Sequence, residues 1–142
     1  MTHRSPLAIA LLVVAGATAA EAQTKDSHAH APPAAPYQAV SKLVPLPDFI
    51  PGIGTLYVDP ATLPAGPFLA YDKQGSLVSS VYMIPLKSLQ EQKAFDNLKI
   101  AQANADHVDI YYNAGHPGVA EPHYHFVVWY VSRARAESLK QD

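Results

Sequence analysis

DHVDIYYNAGHPGVAEPHYHFVVWYVS, residues Asp106 to Ser132, is the stretch whose reading decides the fold. Val108, Ile110 and Tyr112 alternate with His107, Asp109 and Tyr111. Further on, Phe126, Val128 and Tyr130 alternate with His125, Val127, Trp129 and Val131. A period of two marks a strand, because successive side chains point to opposite faces. Gly115, Pro117, Gly118 and Pro122 interrupt the pattern and predict a loop between two strands.

Upstream, the same signals recur at short intervals. Thr55–Val58 has strand character and stops at Asp59-Pro60, and a second turn follows at Leu63–Pro67. Phe68–Tyr71 predicts a short strand, Asp72–Gly75 a hairpin-type loop, and Leu77–Ile84 a longer strand with apolar residues in both alternating sets, hence covered on both sides. Between Pro85 and Leu98 the period changes. Leu86, Leu89, Phe95 and Leu98 fall near one helical face, which predicts one amphipathic helix. Ser132 is placed to cap a short C-terminal helix over residues 133–140. Dense turns and short links favour antiparallel pairing. The fold class is therefore α+β and mainly β: a small antiparallel barrel or sandwich-like domain with one amphipathic helix and a short C-terminal helix.

The N-terminal segment has a different character. A polar start with Arg4, an apolar run from Leu7 to Ala20, and small residues at Ala20 and Ala22 form the three-part pattern of a secretory signal peptide over residues 1–22. That run is too short for a comfortable membrane span, so after cleavage no membrane association is expected, and the location is periplasmic or secreted. Residues 23–44 are polar and then Ala/Pro-rich, which predicts a disordered arm carrying His28 and His30. Residues 45–142 form the single β-rich domain, with Pro45, Pro47 and Pro51 keeping its first part extended over the domain's edge.

Composition removes several function classes. The chain has 10 Lys+Arg and 12 Asp+Glu; loss of Arg4 and Glu21 leaves nine and eleven, close to neutral. Without a basic run or a basic face bearing aromatics, nucleic acid is not a partner. There is no cysteine, which excludes disulfides, thiolate metal sites and a cysteine nucleophile. No Gly-x-Ser-x-Gly elbow occurs, so a metal-free hydrolase is the weakest reading.

The histidines carry the candidate chemistry. His123 and His125 flank Tyr124, and two residues apart on a strand puts both imidazoles on one face. His116 lies on the loop just before, and His107 begins the preceding strand, near His125 if the strands pair directly. Neutral imidazoles of this kind bind a divalent transition metal: zinc, copper, nickel or iron. The candidate metal ligands are therefore His116, His123, His125 and His107, with Asp109 or Glu121 as a carboxylate ligand, an orienting partner, or a base for metal-bound water. Against this stands a non-catalytic binding or assembly module without a metal. In that reading Tyr111, Tyr112, Tyr124, Trp129 and Tyr130 line a small-molecule groove or a homo-oligomer interface.

The segments Asp106-His107-Val108, Gly115-His116-Pro117 and Pro122-His123-Tyr124-His125-Phe126 through Ser132 resemble part of an exported bacterial family of unknown function, sometimes labelled a hydrolase. Its members share a Pro-His-aromatic-Asp-Phe-His strand. The resemblance retains His123 but puts His125 where that family has aspartate and Val127 where it has its second histidine. Gly54–Pro60 resembles a further segment, which in the family follows the histidine strand and here precedes it. The likeness spans about a third of the chain and implies a β-rich exported domain with a polar histidine cluster, without an established reaction.

Overall fold

The computed structural model describes residues 28–142, so the expected signal peptide, residues 1–22, lies outside the described residues. Six strands form one open antiparallel sheet in the order β1-β2-β3-β4-β6-β5. They are β1 (Gln38–Ala39), β2 (Thr55–Val58), β3 (Phe68–Tyr71), β4 (Leu77–Pro85), β5 (His107–Asn113) and β6 (His123–Trp129), with helices α1 (Leu86–Gln90) and α2 (Arg133–Ser138). The mainly β, antiparallel α+β class holds, while the sheet stays open at β1 and β5 instead of closing into a barrel. Among the described residues no helix is long and apolar enough to cross a membrane.

β4 lies inside the sheet and is buried along nearly its whole length, as its two apolar sets require. The β4–β6 register pairs Ser79 with Trp129, Val81 with Val127, Met83 with His125 and Pro85 with His123. This puts His123 and His125 on the same face as the main core, where Val58, Phe68, Val81, Met83, Val127 and Trp129 pack with Ala136 and Leu139 of the C-terminal region. Ser132 caps α2 by accepting from the Arg135 amide at 3.4 Å, as its position predicts. Arg135 also reaches the buried Asp72 carboxylate at 3.0 Å, pinning α2 to the β3–β4 turn.

Two expectations change. The amphipathic helix predicted over Pro85–Leu98 shortens to α1, and Gln92, with φ +57°, lies just beyond its end. Its apolar stripe finds no core: Leu89 and Leu98 are exposed, and a helix without a packed face gains little from continuing. The arm predicted as disordered is placed from residue 28 onward. Ala31 N–H donates to the Gly75 carbonyl at 2.8 Å, Leu77 N–H to the Ala29 carbonyl at 3.0 Å, and the Tyr71 hydroxyl to the His28 carbonyl at 2.9 Å. Ala31 and Tyr37 pack on Leu69, Tyr71 and Leu77, and Val40 joins the core, so the folded unit begins before residue 45. Its prolines reduce the conformational freedom lost on docking, which polar composition alone does not reveal.

Candidate metal centre

The β5–β6 pairing brings the imidazoles together. Tyr111 lies opposite His125 and Asn113 opposite His123. The intervening loop folds back through His116 and Val119, whose amides and carbonyls exchange hydrogen bonds of 2.9 and 3.0 Å. This returns the His116 ring over the strand, its centroid 4.9 Å from that of His123 and 5.7 Å from that of His125. One ligand nitrogen from each of the three rings lies within 4.8 Å of the others. His123 is fully buried and His125 is 4% exposed.

The outward nitrogens are each held by oxygen. His123 Nδ1 donates to the Glu121 carbonyl at 2.6 Å, and His116 Nδ1 to the Pro117 carbonyl at 3.0 Å. A carbonyl only accepts, so both Nδ1 atoms carry the proton and both neutral rings present a bare lone pair at Nε2. His125 Nδ1 lies 2.9 Å from the Tyr111 hydroxyl, which accepts from it in the same tautomer and donates to it in the other. The Nε2 atoms of His123 and His125 are 2.9 Å apart. Two bare lone pairs do not tolerate that approach, so either His125 takes its other tautomer and donates Nε2–H to His123 while accepting from Tyr111, or a cation lies between the rings.

Burial, reinforced by the neighbouring His123 and His116 rings, lowers the His125 pKa from its ordinary 6.5 to about 4. A base whose folded pKa is depressed loses stability as pH falls, since the unfolded chain takes up the proton more readily. For the metal-free protein, stability is full above pH 6.5 and is lost towards pH 4. After discounting for solvent screening, the loss is on the order of 2 kcal/mol. Denaturant melts at pH 7 and pH 4.5 measure it, and a loss that persists in His125→Gln would have another origin.

His107 does not join the cluster. Direct pairing places it opposite Trp129, four positions along β5 from the residue facing His125, or about 13 Å. There it stacks on the Trp129 ring at 5.9 Å, and its Nδ1 lies 2.8 Å from the Asp106 carboxylate. Asp109 is likewise removed, accepting from Trp129 Nε1 at 2.9 Å. Glu121 contributes only its main-chain carbonyl, and its side chain is exposed. The two carboxylates considered as ligands or bases are therefore absent from the triad. His28 and His30 lie across the sheet, by the β3–β4 turn. The five aromatics split between faces: Tyr111 and Trp129 share the histidine face, and Tyr112, Tyr124 and Tyr130 the other.

Sequence reasoning missed Tyr111 as the partner orienting His125; its place opposite His125 depends on the β5–β6 register. It also missed a cavity of about 380 Å³ beside the triad, because its walls come from segments far apart in sequence.

No family profile matches the sequence, and no curated protein matches it. Among solved structures, the hypothetical protein TTHB210 from Thermus thermophilus is similar, with 46% sequence identity and a TM-score of 0.62. The match covers 68% of this chain and 94% of that one. The chain belongs to the TTHB210 family. Identity at this level across almost all of TTHB210 supports a shared fold. TTHB210 is itself described only as hypothetical, so the chemistry of this TTHB210-family domain has to be argued from its own side chains.

Proposed function

We propose that this protein is exported and binds one divalent transition metal ion through His116, His123 and His125. One observation carries the reading: three neutral imidazoles direct ligand nitrogens at a common point while oxygen atoms hold their opposite nitrogens. That outer support is the usual companion of histidine ligation, because it fixes tautomer and ring orientation.

The distances accommodate a metal. At about 2.0–2.1 Å from each nitrogen, an ion spans an N···N separation of about 2.9 Å at a right angle and about 3.3 Å at the tetrahedral angle. The His123–His125 pair already meets the first value at 2.9 Å. His116 closes in by about 1.5 Å at most for the tetrahedral angle and about 1.9 Å at most for the right angle, a small ring movement for a loop residue. Three protein ligands leave a coordination position for water or another small ligand, and imidazoles without thiolates suit zinc, copper, nickel or iron. Among the described residues no carboxylate joins the cluster to serve as a base for metal-bound water, which favours binding over hydrolysis.

Mature protein stripped with chelator and titrated with zinc is expected to bind one equivalent per chain, measured by calorimetry and elemental analysis. Failure to bind zinc, copper, nickel or iron would overturn the reading. A metal-free interaction module would then stand, and one observation favours it: Val108, Ile110 and Tyr112 of edge strand β5 are all more than half exposed.

A further inference from the structure

We propose that the cavity beside the triad is a binding site for a medium-chain alkyl carboxylate whose head group completes the coordination of the metal. The inference rests on the metal reading above and adds the class of ligand. The cavity of about 380 Å³ is lined largely by aliphatic side chains, among them Val44, Leu46, Leu56, Val58 and Met83, and among the described residues no Asp, Glu, Lys or Arg faces it. Its polar lining is confined to Tyr111, Asn113, His116 and His125. All four belong to β5, β6 or the loop between them, so the cavity has an apolar body and one polar end. The loop closes over it at Gly118, where a Cβ would lie 2.9 Å from a Val44 methyl.

Charge selects the head group. Three neutral imidazoles leave a divalent ion with its full charge beside an apolar wall that offers no counter-ion. An anionic oxygen in the open coordination position neutralises part of that charge, whereas an alcohol or an alkane does not. Volume selects the tail. At about 30 Å³ for each methylene-sized group, the cavity holds roughly a dozen of them. Decanoate therefore fits, with its carboxylate at the triad and its chain along the aliphatic wall.

The test uses zinc-loaded mature protein freed of excess metal, titrated calorimetrically with decanoate, decanol and acetate. Decanoate is expected to bind at least ten times more tightly than either of the others, because only it supplies both tail and charge. Leu56→Trp, which fills the cavity, and Leu63→Trp at its exposed rim are each expected to weaken decanoate at least tenfold while keeping one zinc equivalent. Either variant suffices should the other fail to fold. Zinc bound normally but decanoate no tighter than decanol, or unaffected by both substitutions, would overturn the ligand assignment and leave the metal reading intact. Decanoate bound equally by the zinc-free protein would overturn the role given to the metal. Absence of zinc binding would remove both readings, and zinc is measured separately, so the failures are distinguishable.

Discussion

Replacing His123 and His125 together with alanine is expected to cost at least about a thousandfold in zinc affinity, since two of three protein ligands are lost and binding free energy scales with the ligand set. His123 is fully buried and His125 nearly so. The substitutions therefore also leave a cavity costing roughly 2 kcal/mol or more, and the variant should melt at lower temperature while keeping its sheet signal at 25 °C. His107→Ala serves as the control. His107 is stacked on Trp129 away from the triad, so zinc affinity should change by less than about twofold. If the double variant keeps its equivalent of zinc, the ion is bound elsewhere, and the His28/His30 segment is where to look.

That pair was legible in the sequence because its evidence is local. His123-Tyr124-His125 beside Pro122 requires only the strand period to place two rings on one face. His107 could not be placed in the same way. Its distance from His125 depends on the β5–β6 register, and register is set jointly by the loop and by the partner strand β4. The observed register instead brings Tyr111 opposite His125, giving that ring a hydroxyl partner. The long strand β4 was read correctly as buried on both sides, since continuous apolarity is intrinsic to the segment. The closure of a barrel, the length of α1 and the docking of residues 28–44 were not legible. Each depends on which surface a segment meets. Leu86, Leu89 and Leu98 carry a helical stripe whether or not a core lies beneath it, and an Ala/Pro-rich segment has the composition of a free arm until the β3–β4 turn supplies its hydrogen-bond partners.

His116 holds the position that separates a two-imidazole contact from a three-imidazole site, and Gly115 governs how it gets there. Gly115 has φ +127°, a left-handed conformation that side chains disfavour, and a Cβ on it would lie 2.5 Å from the Ala120 carbonyl oxygen across the loop. Its amide donates to the Asn113 side chain at 2.8 Å, so the backbone cannot turn away without breaking that bond. Gly115→Ala must therefore open the loop and separate His116 from Val119. We expect a loss of about 3 kcal/mol in stability, from backbone strain and the carbonyl clash together, read from the denaturant midpoint. His123 and His125 stay in the β6 register, held by β4 and β5 on either side, so weak zinc binding should persist with affinity reduced roughly ten- to a hundredfold. The informative comparison is with His116→Ala, which deletes the ring but keeps the glycine. If both variants weaken zinc to the same degree while only Gly115→Ala is strongly destabilised, the loop's contribution is delivery of the third imidazole. If Gly115→Ala binds zinc as tightly as the native chain, the ion does not need His116, and the centre is a two-histidine site completed by other ligands.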